Sequence, residues 1–65
     1  MTNGDQAQLS SIQSQLDELQ RRITAIADEY ATTPDSQIAA ELFSSERSLR
    51  TAARAIERAA ELMRR

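Results

Sequence analysis

Large apolar residues in the first half of the chain fall at Leu9, Ile12, Leu16, Leu19, Ile23, Ile26 and Tyr30. The steps between them alternate three and four without a break, the seam of a helical heptad pattern held for three repeats. Leu9, Leu16, Ile23 and Tyr30 occupy one heptad column and Ile12, Leu19 and Ile26 the other. The flanking positions are mostly uncharged (Gln13, Gln15, Gln20 and Ala27), with Arg22 and Glu29 as exceptions. The pattern predicts a helix over about residues 6–31, preceded by a flexible tail at 1–5. Asp17 precedes Arg21, and Glu18 precedes Arg22, by four residues in the order that supports a helix by about 0.2–0.5 kcal/mol per pair. Asp5 followed by Gln8 matches a capping-box arrangement at the helix start.

The seam stops at Thr32-Thr33-Pro34-Asp35. Proline pushes the residue before it out of the helical region, so Thr33 ends one helix. Thr33 as N-cap, Pro34 in the first helical position and Asp35 beside the positive helix end form a restart signal. The predicted turn is 32–33, and the second helix runs from about 34 to 64. A connection this short makes the helices antiparallel neighbours. The alternative is one long helix kinked at Pro34.

In the second helix Leu42, Leu49, Ile56 and Met63 recur every seven residues, with Ile38 one turn earlier on the same face. Small residues flank this line: Ser45, Ala52 and Ala59 on one side, Ala39, Ala53 and Ala60 on the other. With Ser44, Ser48, Ala55 and Leu62, the small or apolar arc covers about half the circumference. The first helix therefore carries a narrow seam, and the second a broad surface of low relief that admits more than one neighbour. Ser44-Ser45 is the one place where this helix has a candidate break, which would give three helices. The expected core and interface set is Leu9, Ile12, Leu16, Leu19, Ile23, Ile26, Tyr30, Ile38, Leu42, Leu49, Ala52, Ala53, Ile56, Ala59, Ala60 and Met63.

Sixty-five residues make at most one domain. A chain this short usually needs disulfides, a metal or association to be stable. There is no cysteine and no histidine, which removes disulfides and ordinary structural zinc. Every cationic side chain is an arginine, because lysine is also absent. Association is the remedy left, and a homodimeric four-helix bundle is the expected form.

The same inventory leaves little for catalysis. Without His, Cys or Lys, the only general base near neutral pH is a carboxylate with a raised pKa. The many Ser and Thr hydroxyls have nothing to activate them in triad fashion. The adjacent carboxylates Asp17-Glu18 and Asp28-Glu29 point in different directions on a helix and read as solvated faces. One glycine cannot build a phosphate-cradling loop. No enzyme activity, cofactor or metal is expected. The polar start Met1-Thr2-Asn3-Gly4-Asp5 lacks the basic and apolar character of a signal peptide, and no run approaches the roughly 18 apolar residues of a membrane span. A cytoplasmic protein with no membrane partner is expected.

Arg47, Arg50, Arg54 and Arg58 follow at steps of three, four and four, and line one side of the second helix. Phe43 sits at the head of that stripe, which reads as a docking face for an acidic partner with Phe43 as anchor. The plain alternative is a solvated face relieved by Glu46, Glu57 and Glu61. A net charge of −2 makes nucleic acid an unlikely partner, although a small nucleic-acid-binding hairpin using the arginines is one runner-up. A heteromeric antitoxin-like or adaptor hairpin is another.

In length and layout the chain resembles the Rop type of RNA-binding hairpin. The resemblance spans the whole chain but is architectural only. It implies a dimeric four-helix bundle and, with no shared motif, carries no RNA-binding role. The layout is also similar to secreted hairpins of the WXG type, but the turn Thr32-Thr33-Pro34 lacks their tryptophan-glycine signature. The sequence thus predicts an all-α, coiled-coil-like hairpin that acts as a self-assembling interaction module. Uneven charge predicts that two copies pair with their turns at opposite ends. Asp28, Glu29, Asp35 and Glu41 lie near the turn, and Arg54, Arg58, Arg64 and Arg65 near the open end.

Overall fold

The computed structural model describes residues 3–65. It contains two helices, α1 (Asn3–Tyr30) and α2 (Ser36–Met63), each of 28 residues. They pack against each other as a hairpin 50 Å long, 14 Å wide and 9 Å thick at the Cα level. The kinked single helix is excluded: the chain reverses between Tyr30 and Ser36.

The helix ends differ from expectation in ways that local chemistry explains. Asn3, Gly4 and Asp5, expected in the flexible tail, form the first turn of α1, where Asp5 faces the positive end of the helix dipole. Met1 and Thr2 of that tail lie outside the described residues. At the other end the Ala31 N–H donates to the Ala27 carbonyl (3.0 Å), closing the last turn of α1. Thr33 then joins the two helices. Its N–H and its hydroxyl both donate to the Tyr30 carbonyl (3.1 and 2.7 Å), and its hydroxyl oxygen accepts from the Asp35 N–H (3.2 Å). That last contact is the bond expected of a capping threonine. Regular α2 nevertheless begins at Ser36 rather than Pro34. Asp35 holds the N-cap position without a side-chain cap bond, and the Ile38 N–H closes a tight three-residue turn onto the Asp35 carbonyl (2.9 Å).

α2 is continuous through Ser44-Ser45. The Ser45 hydroxyl donates to the Glu41 carbonyl and the Thr51 hydroxyl to the Arg47 carbonyl, both at 3.1 Å. Each hydroxyl is thus satisfied within the helix instead of competing with it. On α1, Arg21 bridges both members of the Asp17-Glu18 pair, with 2.6 Å to Glu18. The hydrogen bonds that Arg21 donates to Glu18 and to Asp17 raise the affinity of this exposed guanidinium for its proton. The sequence-based partner for Glu18 was Arg22; the three-residue step to Arg21 is the one the structure uses.

The contact between the helices does not follow the seam as expected. Leu9, Leu16, Ile23 and Tyr30 are half-buried, as are Leu42, Leu49, Ile56 and Met63 on α2. The positions four residues after the first column complete the contact: Gln13 and Gln20 are half-buried and Ala27 is fully buried. On α2 the matching set is Ala39, Glu46, Ala53 and Ala60, of which all but the half-buried Ala53 are buried. The other seam column turns outward. Ile12 is half-buried, but Leu19 and Ile26 are 41% and 48% exposed. Ile38 is 45% exposed, and Ser45, Ala52 and Ala59 are exposed. Leu19, Ile26, Ile38, Ala52 and Ala59 therefore lie outside the intrachain contact. The physical reason is closeness of approach. Alanines at 27, 39 and 60 let the backbones come together along that line, and the helices rotate to use it.

Candidate functional site

On an α-helix each residue turns by about 100°, so the Ile12–Leu19–Ile26 column lies about 80° around from the line of contact with α2. The Ile38–Ser45–Ala52–Ala59 column has the same offset on α2. Reversing a helix end for end also reverses the sense in which its residues wind, seen from one end of the pair. Equal offsets in an antiparallel pair therefore fall on the same side. Both outward columns share one broad face of the hairpin, and Ser48, Ala55 and Leu62 extend it on α2. Among the described residues, all four exposed large hydrophobics, Leu19, Ile26, Ile38 and Leu62, belong to this face. Leu62 is the most open of them, at 62%. Among the described residues no large side chain is fully buried.

The opposite face is polar. Glu46 is buried there, at 7% exposure, beneath the edge of α1. Arg50 reaches back one turn to hold it, with Nη2 2.6 Å from both carboxylate oxygens and Nε 3.1 Å from Oε2. A shallow groove of about 450 Å³ runs along this side, lined by Asp17, Gln20, Arg21, Thr24, Ala25, Asp28 and Glu46. It is an open channel between side chains. Among the described residues no group of three or more carboxylates is placed to hold a metal ion.

The arginine stripe is divided by this arrangement. Arg50 is committed to Glu46, while Arg47, Arg54 and Arg58 remain exposed on the outer side of α2. Phe43, expected as an anchor at the head of the stripe, is half-buried on the flank that carries Glu46. The residues that sequence reasoning missed are Gln13, Gln20 and Glu46, polar members of the intrachain contact. The signal available for them was their spacing: each follows a seam residue by four.

No protein-family model, curated protein or solved structure matches the chain. No described helix is long and apolar enough to cross a membrane. The functional reading therefore rests on the surface itself.

Proposed function

We propose that this chain is a non-enzymatic, self-assembling helical module of the cytoplasm, in which two hairpins close their apolar faces on each other to form a four-helix bundle. The observation that carries this reading is the segregation of the exposed large hydrophobics. Scattered singly, exposed leucines and isoleucines need no explanation; gathered on one face, they mark an interaction surface. In the bundle Leu19, Ile26, Ile38 and Leu62 become the shared core that a single hairpin lacks. Arg47, Arg54 and Arg58 point away from that face and stay open to solvent, so an assembled bundle presents them outward to any acidic partner.

Sedimentation or light scattering on the purified chain tests the reading. A stable species of twice the 7.3 kDa chain mass is expected. A well-folded monomer would contradict self-assembly and leave the heteromeric adaptor or antitoxin-like reading in its place. Retention on RNA with a steep salt dependence would instead favour the nucleic-acid-binding hairpin.

A further inference from the structure

The hairpin is electrically lopsided along its length. Residues 17–49, the half that contains the turn, hold seven of the ten carboxylates but three of the eight arginines, a net charge of −4. The remaining residues, at the open end, hold three carboxylates and five arginines, a net charge of +2. From Ile23 through Glu46 there are five carboxylates and no arginine. The apolar face runs the whole length of this charge gradient, from Ile26 and Ile38 at the turn to Leu62 at the open end.

We infer that the occupant of the apolar face is a second copy of this chain lying with its turn at the opposite end, so that α1 meets the partner's α1 and α2 meets the partner's α2. The inference rests on the self-assembly proposed above and adds which way round the copies lie. Two symmetric arrangements are available to identical hairpins packed face to face. In one, the two-fold axis runs along the bundle, both turns sit together, and each α1 lies on the partner's α2. That arrangement stacks the two −4 halves and the two +2 halves. In the other, the axis crosses the bundle, and each acidic turn half lies on a basic open half. Exposed pairs contribute only about 0–1 kcal/mol each, yet like-charge clusters penalise the wrong packing as well as rewarding the right one.

The face also suits a second copy by size and shape. Its outline of 50 by 14 Å is about 700 Å² in projection, close to the roughly 800 Å² per partner of a standard stable interface. Crossing the axis sorts side chains by size. The Ile12–Leu19–Ile26 column runs antiparallel to the partner's α1 column at one edge, with Ile12 level with the partner's Leu19, while Ser45, Ala52 and Ala59 run antiparallel to the partner's α2 column at the other. Large residues space the α1 pair widely, and small ones let the α2 pair approach closely. Ile38 at one end then lies level with the partner's Leu62, so the two most terminal exposed hydrophobics cover each other.

The test is the distance between spin labels at Thr32→Cys in each copy, measured alongside the solution mass. Thr32 is exposed in the connection, and the chain has no other cysteine. An exposed second site, Ala31→Cys, provides an independent repeat. A dimer with labels about 40 Å apart, the length of a 28-residue helix, is expected. A dimer with labels at about 20 Å or less, within two helix diameters, would overturn the opposite-ended arrangement while leaving self-assembly intact. A monomeric mass would overturn both.

Discussion

Along one flank of the central Leu and Ile columns lie Gln13, Gln20, Ala27, Ala39, Glu46, Ala53 and Ala60; along the other lie Ile12, Leu19 and Ile26 on α1 and Ile38, Ser45, Ala52, Ala59 and Leu62 on α2. The first flank is the more polar by composition, yet it closes between the helices. The second is the more apolar, yet it faces outward. On α1 the flank that closes is the one that carries Ala27 level with the small residues of α2, and the more apolar Leu19 and Ile26 stay outside it. Alanines permit close backbone approach, and the glutamine and glutamate stems cover what the alanines leave. On α1 the bulky column of Leu19 and Ile26 is left exposed. Glu46 is tolerated on the closed side because Arg50 neutralises it and its carboxylate oxygens are satisfied.

Substitutions on the two flanks should separate these roles. The largest effect is expected from Leu19→Asp, which places a charge in the middle of the open flank. In an assembled bundle it should weaken association by two powers of ten or more, roughly 3 kcal/mol. Were Leu19 a surface residue in solution, the change would stay within about 0.5 kcal/mol in a urea melt. Ala27→Leu probes the closed flank, since Ala27 has 0% exposure. Overpacking there should cost about 1–3 kcal/mol at every protein concentration. An equally large cost that vanished on dilution would place Ala27 between copies instead of within the hairpin.

Arg50→Ala leaves the Glu46 carboxylate buried without its partner. Arg50 is half exposed, so water moderates the loss, and about 1 kcal/mol is expected in the same melts. Thr33→Ala, which removes the hydroxyl shared by Tyr30 and Asp35, should cost about 1 kcal/mol, against almost nothing for Thr32→Ala. Equal losses from the two threonines would mean that the shared hydroxyl bonds contribute nothing.

The helix count, the reversal at Pro34 and the existence of a heptad seam were all legible in the sequence, because periodicity and proline chemistry act locally. The identity of the intrachain contact was not. Leu9, Leu16, Ile23 and Tyr30 belong equally to a stripe shared with Ile12, Leu19 and Ile26 and to one shared with Gln13, Gln20 and Ala27. Both stripes have the same three-four spacing, and hydrophobicity alone favours the first. The choice of the second depends on small residues of both helices being level with each other, which is a property of the pair. Glu46 was legible as the partner of Arg50, but its burial was not, because it was assigned from its own helix alone; only the position of α1 shows that Glu46 is buried and Phe43 half-buried.

The central claim is that the bulky flank is an assembly surface, and the solution mass of the wild-type chain beside that of Leu19→Asp tests it most directly. Measured by sedimentation equilibrium at the same micromolar concentration, the wild type should weigh twice 7.3 kDa and the variant should weigh 7.3 kDa while keeping its helical content. A wild type that sediments as a folded 7.3 kDa monomer, indistinguishable from the variant, would contradict the account.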